Sequence, residues 1–167
     1  MTVRGIHHVA ISTPDLDRLT EFYVAALGAE TVMETSWADN LRVDSMIDLS
    51  GSAARQRMVR VGNVHLELFE YTAPTPVPKD PTHPPSDHGY THLCFDVVDI
   101  DAEFDRLVEL GMSFSRRAPD GTKLRAIYGR DPDGNIVELQ EVLDDTIAFH
   151  FSNLEIRIEP DDGGPPA

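Results

Sequence analysis

The chain has little cysteine, little positive charge and no long apolar run. A single cysteine, Cys94, excludes an internal disulfide and suits the reducing cytoplasm. No stretch approaches the ~20 apolar residues of a membrane span, and the N-terminus lacks the apolar core of a signal peptide, so no membrane partner is expected. Fourteen Lys and Arg face twenty-nine Asp and Glu, for a formal net charge of −15. A surface this acidic repels phosphate backbones, which argues against a nucleic-acid partner. Two basic groups stand out, Arg55, Arg57, Arg60 and Arg116, Arg117, Lys123, Arg125; both read as solvated strand faces. At 167 residues the chain is about one domain long.

What the chain does contain is one pattern written twice. Gly5-Ile6-His7-His8-Val9-Ala10-Ile11-Ser12 aligns with Gly89-Tyr90-Thr91-His92-Leu93-Cys94-Phe95-Asp96. With His8 on His92, Asp15-Leu16-Asp17 falls on Asp99-Ile100-Asp101 without a gap. With one residue of slippage, Gly62-Asn63-Val64-His65-Leu66-Glu67-Leu68 falls on Gly134-Asn135-Ile136-Val137-Glu138-Leu139. Each copy thus holds one strand histidine and one strand glutamate at equivalent places.

Alternation from Ile6 to Ser12 predicts a strand with His8, Ala10 and Ser12 on a cavity-like face and His7, Val9 and Ile11 on the packed one. Thr13-Pro14-Asp15 predicts a helix start capped by Thr13. Leu16, Leu19, Phe22, Tyr23 and Ala26 follow at helical spacing, assigned to packing, and Gly28 ends the helix. Residues 31–35 suggest a strand and 36–40 a loop holding Trp37. Strands are predicted over 56–61 and 64–71, joined at Gly62-Asn63. The second copy repeats the order, with its helix starting at Asp99 and strands near 113–116, 123–129 and 135–142. Each copy is therefore βαβββ. The expected organisation is a single domain over 1–145, with modules at 5–72 and 88–143 and an exposed linker at 73–87 carrying six prolines. An added strand is expected over 146–158 and a disordered tail over 159–167.

A polar residue on an otherwise apolar strand needs a partner. Two imidazoles and two carboxylates repeated on equivalent strands suggest one divalent ion held by His8, Glu67, His92 and Glu138. Such an N₂O₂ set suits Zn²⁺, Ni²⁺, Co²⁺, Mn²⁺ or Fe²⁺. His7, Glu70 and Glu141 fall on the wrong faces. His65 shares the face of Glu67 as a possible supporting donor, and Cys94 reads as a buried, inert thiol lining the cavity.

These motifs, with Phe22-Tyr23, Leu27-Gly28 and Asp131-Pro132-Asp133-Gly134, resemble the vicinal oxygen chelate superfamily over about residues 5 to 142. The group includes glyoxalase I, methylmalonyl-CoA epimerase, extradiol dioxygenases, fosfomycin-resistance enzymes and bleomycin-binding proteins. The resemblance implies an α+β fold of paired βαβββ modules in a cupped mixed sheet, often as a homodimer. It places metal ligands at His8, Glu67, His92 and Glu138, a four-ligand set similar to the glyoxalase I and epimerase branch. The implied activity is an isomerase, epimerase or racemase that abstracts a proton alpha to a carbonyl of a small molecule, with Glu67 and Glu138 as catalytic base and acid. Alternatives are a glyoxalase-type lyase, an Fe(II) extradiol-type dioxygenase and a metal-free binding protein. Asp44 and Asp48 lie where epimerases of the group carry a further acid, at a longer spacing.

Overall fold

The computed structural model describes residues 5–153, and the repeat appears as two successive modules. The first runs β1 (His8–Ser12), α1 (Leu16–Leu27), β2 (Glu30–Ala38), α2 (Leu41–Ile47), β3 (Ala53–Val61) and β4 (Val64–Ala73). The second runs β5 (His92–Asp96), α3 (Ile100–Glu109), β6 (Ser113–Phe114), β7 (Leu124–Arg130) and β8 (Ile136–Val142). Each module builds its own four-stranded mixed sheet, in the orders β1-β4-β3-β2 and β5-β8-β7-β6. The parallel pairs β1–β4 and β5–β8 bring the first and last strand of each module together at one edge. The α+β class with paired βαβββ modules is the observed architecture.

Alternation along the last strand of each module divides its labour. On β4, Leu66 and Leu68 are fully buried, and on β8 Val137 and Leu139 are buried against the same core. That core also takes Leu16, Leu19, Phe22 and Tyr23 of α1 and Ile100 and Leu107 of α3, so it is shared by both modules. The next residue of the same parity is a glutamate in each case. The Glu70 carboxylate accepts from the Leu16 amide at 3.2 Å, and that of Glu141 accepts from the Asp99 amide at 2.7 Å. Each thereby satisfies an orphan donor at a helix N-terminus and lies at the positive end of its dipole.

An arginine on the neighbouring strand completes each arrangement. Arg55 reaches Glu70 at 3.1 Å and Asp17 at 2.9 Å. Arg125 reaches Asp101 at 2.8 Å and lies 4.0 Å from Glu141. The guanidinium groups hold the Asp17 and Asp101 carboxyls below the usual carboxylate range, Asp17 being bonded by both Arg55 and Arg57. Most of the two basic groups are therefore structural: Arg57 pairs with Asp17 and Glu34, Arg60 with Glu30, Arg117 with Asp105 and Lys123 with Asp144.

The modules are joined by polar contacts around the β7–β8 turn. The buried Tyr23 hydroxyl donates to Asp131 Oδ2 at 2.9 Å. Asp131 also accepts from the Asp133 and Asn135 amides and from Asn135 Nδ2, each at 2.9 Å. Burial still pushes the Asp131 carboxyl above its usual range, and it pushes the Tyr23 phenol well above its own. Arg18 pairs with Asp133, and Arg106 donates to the Ala26 carbonyl at 2.6 Å. The prolines of the linker do not leave it detached. Arg130 donates to the His83 carbonyl at 2.7 Å, and a Cβ on Gly134 would lie 2.5 Å from the Pro81 carbonyl oxygen.

Several expectations are corrected. The α1 cap is Asp15, whose side chain accepts from the Arg18 amide, while Thr13 accepts from the Asp15 amide one step earlier. β2 extends through Trp37, because its full length pairs with β3 down to Ala38–Ala53. The helix α2 was not expected; its signal is Asn40, which accepts from the amides of Arg42 and Val43. The described part of 146–158 holds turns and a 3₁₀ turn at Phe151–Asn153 rather than a strand. Residues 154–158 and the expected tail lie outside the described residues.

Two outcomes follow from these contacts. Tyr23→Phe removes a donor from a buried carboxylate and is expected to lower stability by about 1–2 kcal/mol in urea unfolding at pH 7. Asp101→Asn loses a charge whose folded pKa is depressed. Its stabilisation is therefore present above the unfolded value of about 3.9 and is lost as pH falls through the lower folded value. Melting curves should show a gap between wild type and Asp101→Asn at pH 7 that closes in strong acid.

Candidate metal centre

Residues of opposite parity on the same strands form the candidate site. β1 and β4 run in register with Ala10 beside Glu67, so His8 and Glu67 lie on the sheet face away from the core. His8 Nε2 stands 3.2 Å from Glu67 Oε2. In the second module Cys94 is beside Glu138, and His92 Nε2 stands 3.0 Å from Glu138 Oε2. Both glutamates are largely sheltered, with 15% and 16% of the side chain exposed, while the histidines are more open. The duplication predicted from the sequence is thus a duplicated geometry: one imidazole nitrogen against one carboxylate oxygen, twice.

The separations fit the donor chemistry. Two ligands at about 2.1 Å from one ion and at right angles would lie about 3.0 Å apart. Each pair is therefore spaced to share an ion as neighbouring ligands. The four residues do not converge, however. Among the described residues no group of three or more His, Cys, Asp or Glu side chains is arranged to hold a metal. The shared core accounts for this, because it lies on the helix side of both sheets and the two His–Glu faces lie on the other side of each. One chain presents two separate His–Glu pairs.

Supporting contacts differ between the halves. Gln56 Nε2 donates to Glu67 Oε1, a partner the sequence reading missed. The hairpin register carried the signal, since Val61 pairs with Val64 and the same count places Gln56 beside Phe69 on the face of Glu67. His65 is not the supporting donor; it stacks on His7 with ring centroids 5.6 Å apart. His7 lies outside β1, shares a 2.8 Å hydrogen bond with His8 between their Nδ1 atoms, and so orients His8 Nε2 toward Glu67. Trp37, Phe69 and Tyr71 make an aromatic wall on this face, with centroids 5.6–6.0 Å apart. Asp44 is spent elsewhere, accepting from the Gly51 and Ser52 amides at 2.8 and 3.0 Å.

In the second half, His92 Nδ1 is fixed by Thr91 Oγ1 at 2.8 Å, leaving Nε2 for Glu138. Tyr128, cross-strand partner of Glu138, packs on the His92 ring at 4.8 Å. Cys94 is exposed rather than buried, yet desolvation at the sheet face and the Glu138 carboxylate push its thiol up to about 12. An exposed thiol of this kind stays protonated at neutral pH and is a poor nucleophile. Cys94 is expected to alkylate slowly with iodoacetamide at pH 8, and Glu138→Gln, which removes a nearby negative charge, should raise the rate.

Comparison with known proteins agrees with this architecture. Residues 5–139 match the family described as the Glyoxalase/Bleomycin resistance protein/Dioxygenase superfamily. A 2-epi-5-epi-valiolone epimerase from Actinomyces sp is 39% identical over 117 residues, 64% of this chain and 62% of that protein. A lactoylglutathione lyase from Schizosaccharomyces pombe is 25% identical over 94% of this chain but only 54% of its own length. The chain therefore spans between half and two thirds of these two relatives. A glyoxalase family protein from Bacillus cereus superposes with a TM-score of 0.77 at 21% identity, covering 86% of this chain and 97% of the other. None of the described helices is long and apolar enough to cross a membrane. With its duplicated βαβββ modules and this match over residues 5–139, the chain belongs to the glyoxalase/bleomycin resistance protein/dioxygenase superfamily, the vicinal oxygen chelate group.

Proposed function

We propose that the protein is a divalent-metal-dependent isomerase or epimerase that moves a proton at a carbon alpha to a carbonyl. The observation that carries this reading is the pair of half-sites, with Nε2–Oε separations of 3.2 and 3.0 Å on equivalent strands. His8, Glu67, His92 and Glu138 would hold the ion. When bound, it would supply a positive charge that stabilises the developing enolate oxygen. The remaining work belongs to the side chains. Two carboxylates related by the repeat can serve the two faces of a substrate carbon, one removing a proton and the other returning one. Gln56 steadies Glu67, and Thr91 and His7 fix the ring orientations of His92 and His8. The aromatic wall of Trp37, Phe69 and Tyr71 offers an apolar surface to the rest of the substrate.

Because one chain presents its half-sites on separate faces, the reading includes a homodimer in which His8 and Glu67 of one chain meet His92 and Glu138 of a second. The 39% identity to an epimerase supports the isomerase class over the lyase. A carboxylate at position 67 supports four ligands over a three-ligand dioxygenase site.

Metal content tests the proposal. Wild type should retain about one equivalent per chain after loading with Ni²⁺, Co²⁺, Zn²⁺, Mn²⁺ or Fe²⁺, and Glu67→Ala or His92→Ala should lose it. Subunit exchange between His8→Ala and His92→Ala chains should restore about a quarter of the wild-type content, since half the dimers would be mixed and one of their two sites intact. No restoration would refute the shared site, and no metal in wild type would refute the mechanism. Solvent deuterium incorporation into a small α-hydroxy or α-alkyl ketone would then identify the proton-transfer step.

A further inference from the structure

The charge pattern is most informative where it is not neutralised. Arg55, Arg57, Arg60, Arg117, Lys123 and Arg125 are each matched to carboxylates. Among the described residues Arg116 makes no ion pair, although it stands beside Arg117 in a chain of net charge −15. Arg130 makes none either; its guanidinium donates only to the Gly134 and His83 carbonyls, at 2.8 and 2.7 Å. These two arginines line the same groove.

That groove is about 750 Å³ in volume and runs along β6 and β7. Most of its lining residues are apolar, Ser113 and Ser115 are among the others, and no carboxylate lines it. It adjoins the second half-site directly. Two of its lining residues are Tyr128, which packs on His92, and Ile136, the register partner of His92. The volume suits a small organic molecule. In a protein with about twice as many acids as bases, two arginines lining an acid-free groove make a locally positive surface, with Arg130 half-buried. Guanidinium groups with unused donors bind carboxylate and phosphoryl oxygens by charge-assisted hydrogen bonds.

We infer that this groove is a subsite for an anionic group, carboxylate or phosphoryl, on a molecule whose apolar body lies along β7 toward Tyr128. Arg116 supplies the exposed cation and Arg130 the half-buried one, held in place by its two carbonyl contacts. Taken with the proton-transfer reading of Glu138, on which this part alone rests, the substrate class is a carbonyl compound bearing a negatively charged arm. The first half-site lacks this feature, because the three arginines of its β3, Arg55, Arg57 and Arg60, are all in ion pairs. The two halves of the duplicated fold thereby differ in what they bind, one offering aromatic surface and the other charge.

The test needs neither metal nor turnover. Metal-stripped, ¹⁵N-labelled protein is titrated with phenyl phosphate, with benzoate and with uncharged benzyl alcohol, following the amides of Ser113, Ser115 and Gly129. At least one anion is expected to shift these amides saturably, the tighter of the two identifying a phosphoryl or a carboxylate group. Arg116→Gln should weaken that binding by about tenfold or more, whereas Glu138→Gln should leave it in place. Equal response to benzyl alcohol, or unchanged anion binding in Arg116→Gln, would overturn the inference. Anion binding that survives while metal binding fails would separate this subsite from the catalytic proposal.

Discussion

The two-residue alternation of β4 and β8 governs the arrangement. On each strand one parity carries Leu66, Leu68 and Glu70, or Val137, Leu139 and Glu141, and faces the helices. The other parity carries Glu67 or Glu138 and faces outward. Both glutamates of a strand are needed, and they are not interchangeable, because a shift of one residue would put the cap in solvent and the candidate ligand in the core. The aliphatic residues set the register, since burying them is the dominant favourable contribution, and the polar positions follow from it.

Electrostatics in this acidic chain is mainly local. The Asp17–Arg55–Glu70 group and its counterpart Asp101–Arg125–Glu141 bind a helix start to the two adjacent strands in each module. Exposed pairs contribute little individually, but each group here also satisfies backbone donors at a helix end. Between modules the same economy recurs around Asp131, which collects the Tyr23 hydroxyl, an asparagine amide and two backbone amides. The Asp131-Pro132-Asp133-Gly134-Asn135 motif is thus a turn that also joins the two halves.

How much of this was legible in the sequence differed by range. The repeat, the strand faces of His8, Glu67, His92 and Glu138, and the Gly28 helix stop all depend on residues close in sequence, and all were readable. Gln56 and Tyr128 were recoverable by counting register back from the Gly62-Asn63 and Asp131–Asn135 turns. Trp37 was misplaced in a loop because pairing with β3, not local propensity, carries β2 so far. The cap at Asn40 was visible, but a seven-residue helix without a clear apolar stripe offers little periodicity to detect. Which arginines are neutralised was not legible, since their partners lie up to 115 residues away in sequence.

The sequence by itself determined that there are two modules, which face of each strand is polar, and which four side chains are the candidates for holding a metal. Period-two alternation and the internal repeat are local properties and need no knowledge of packing. Only the tertiary structure decided that each histidine meets the glutamate of its own module and that the two pairs stay apart. The helices of both modules share one core, and that shared burial turns the two polar faces away from each other.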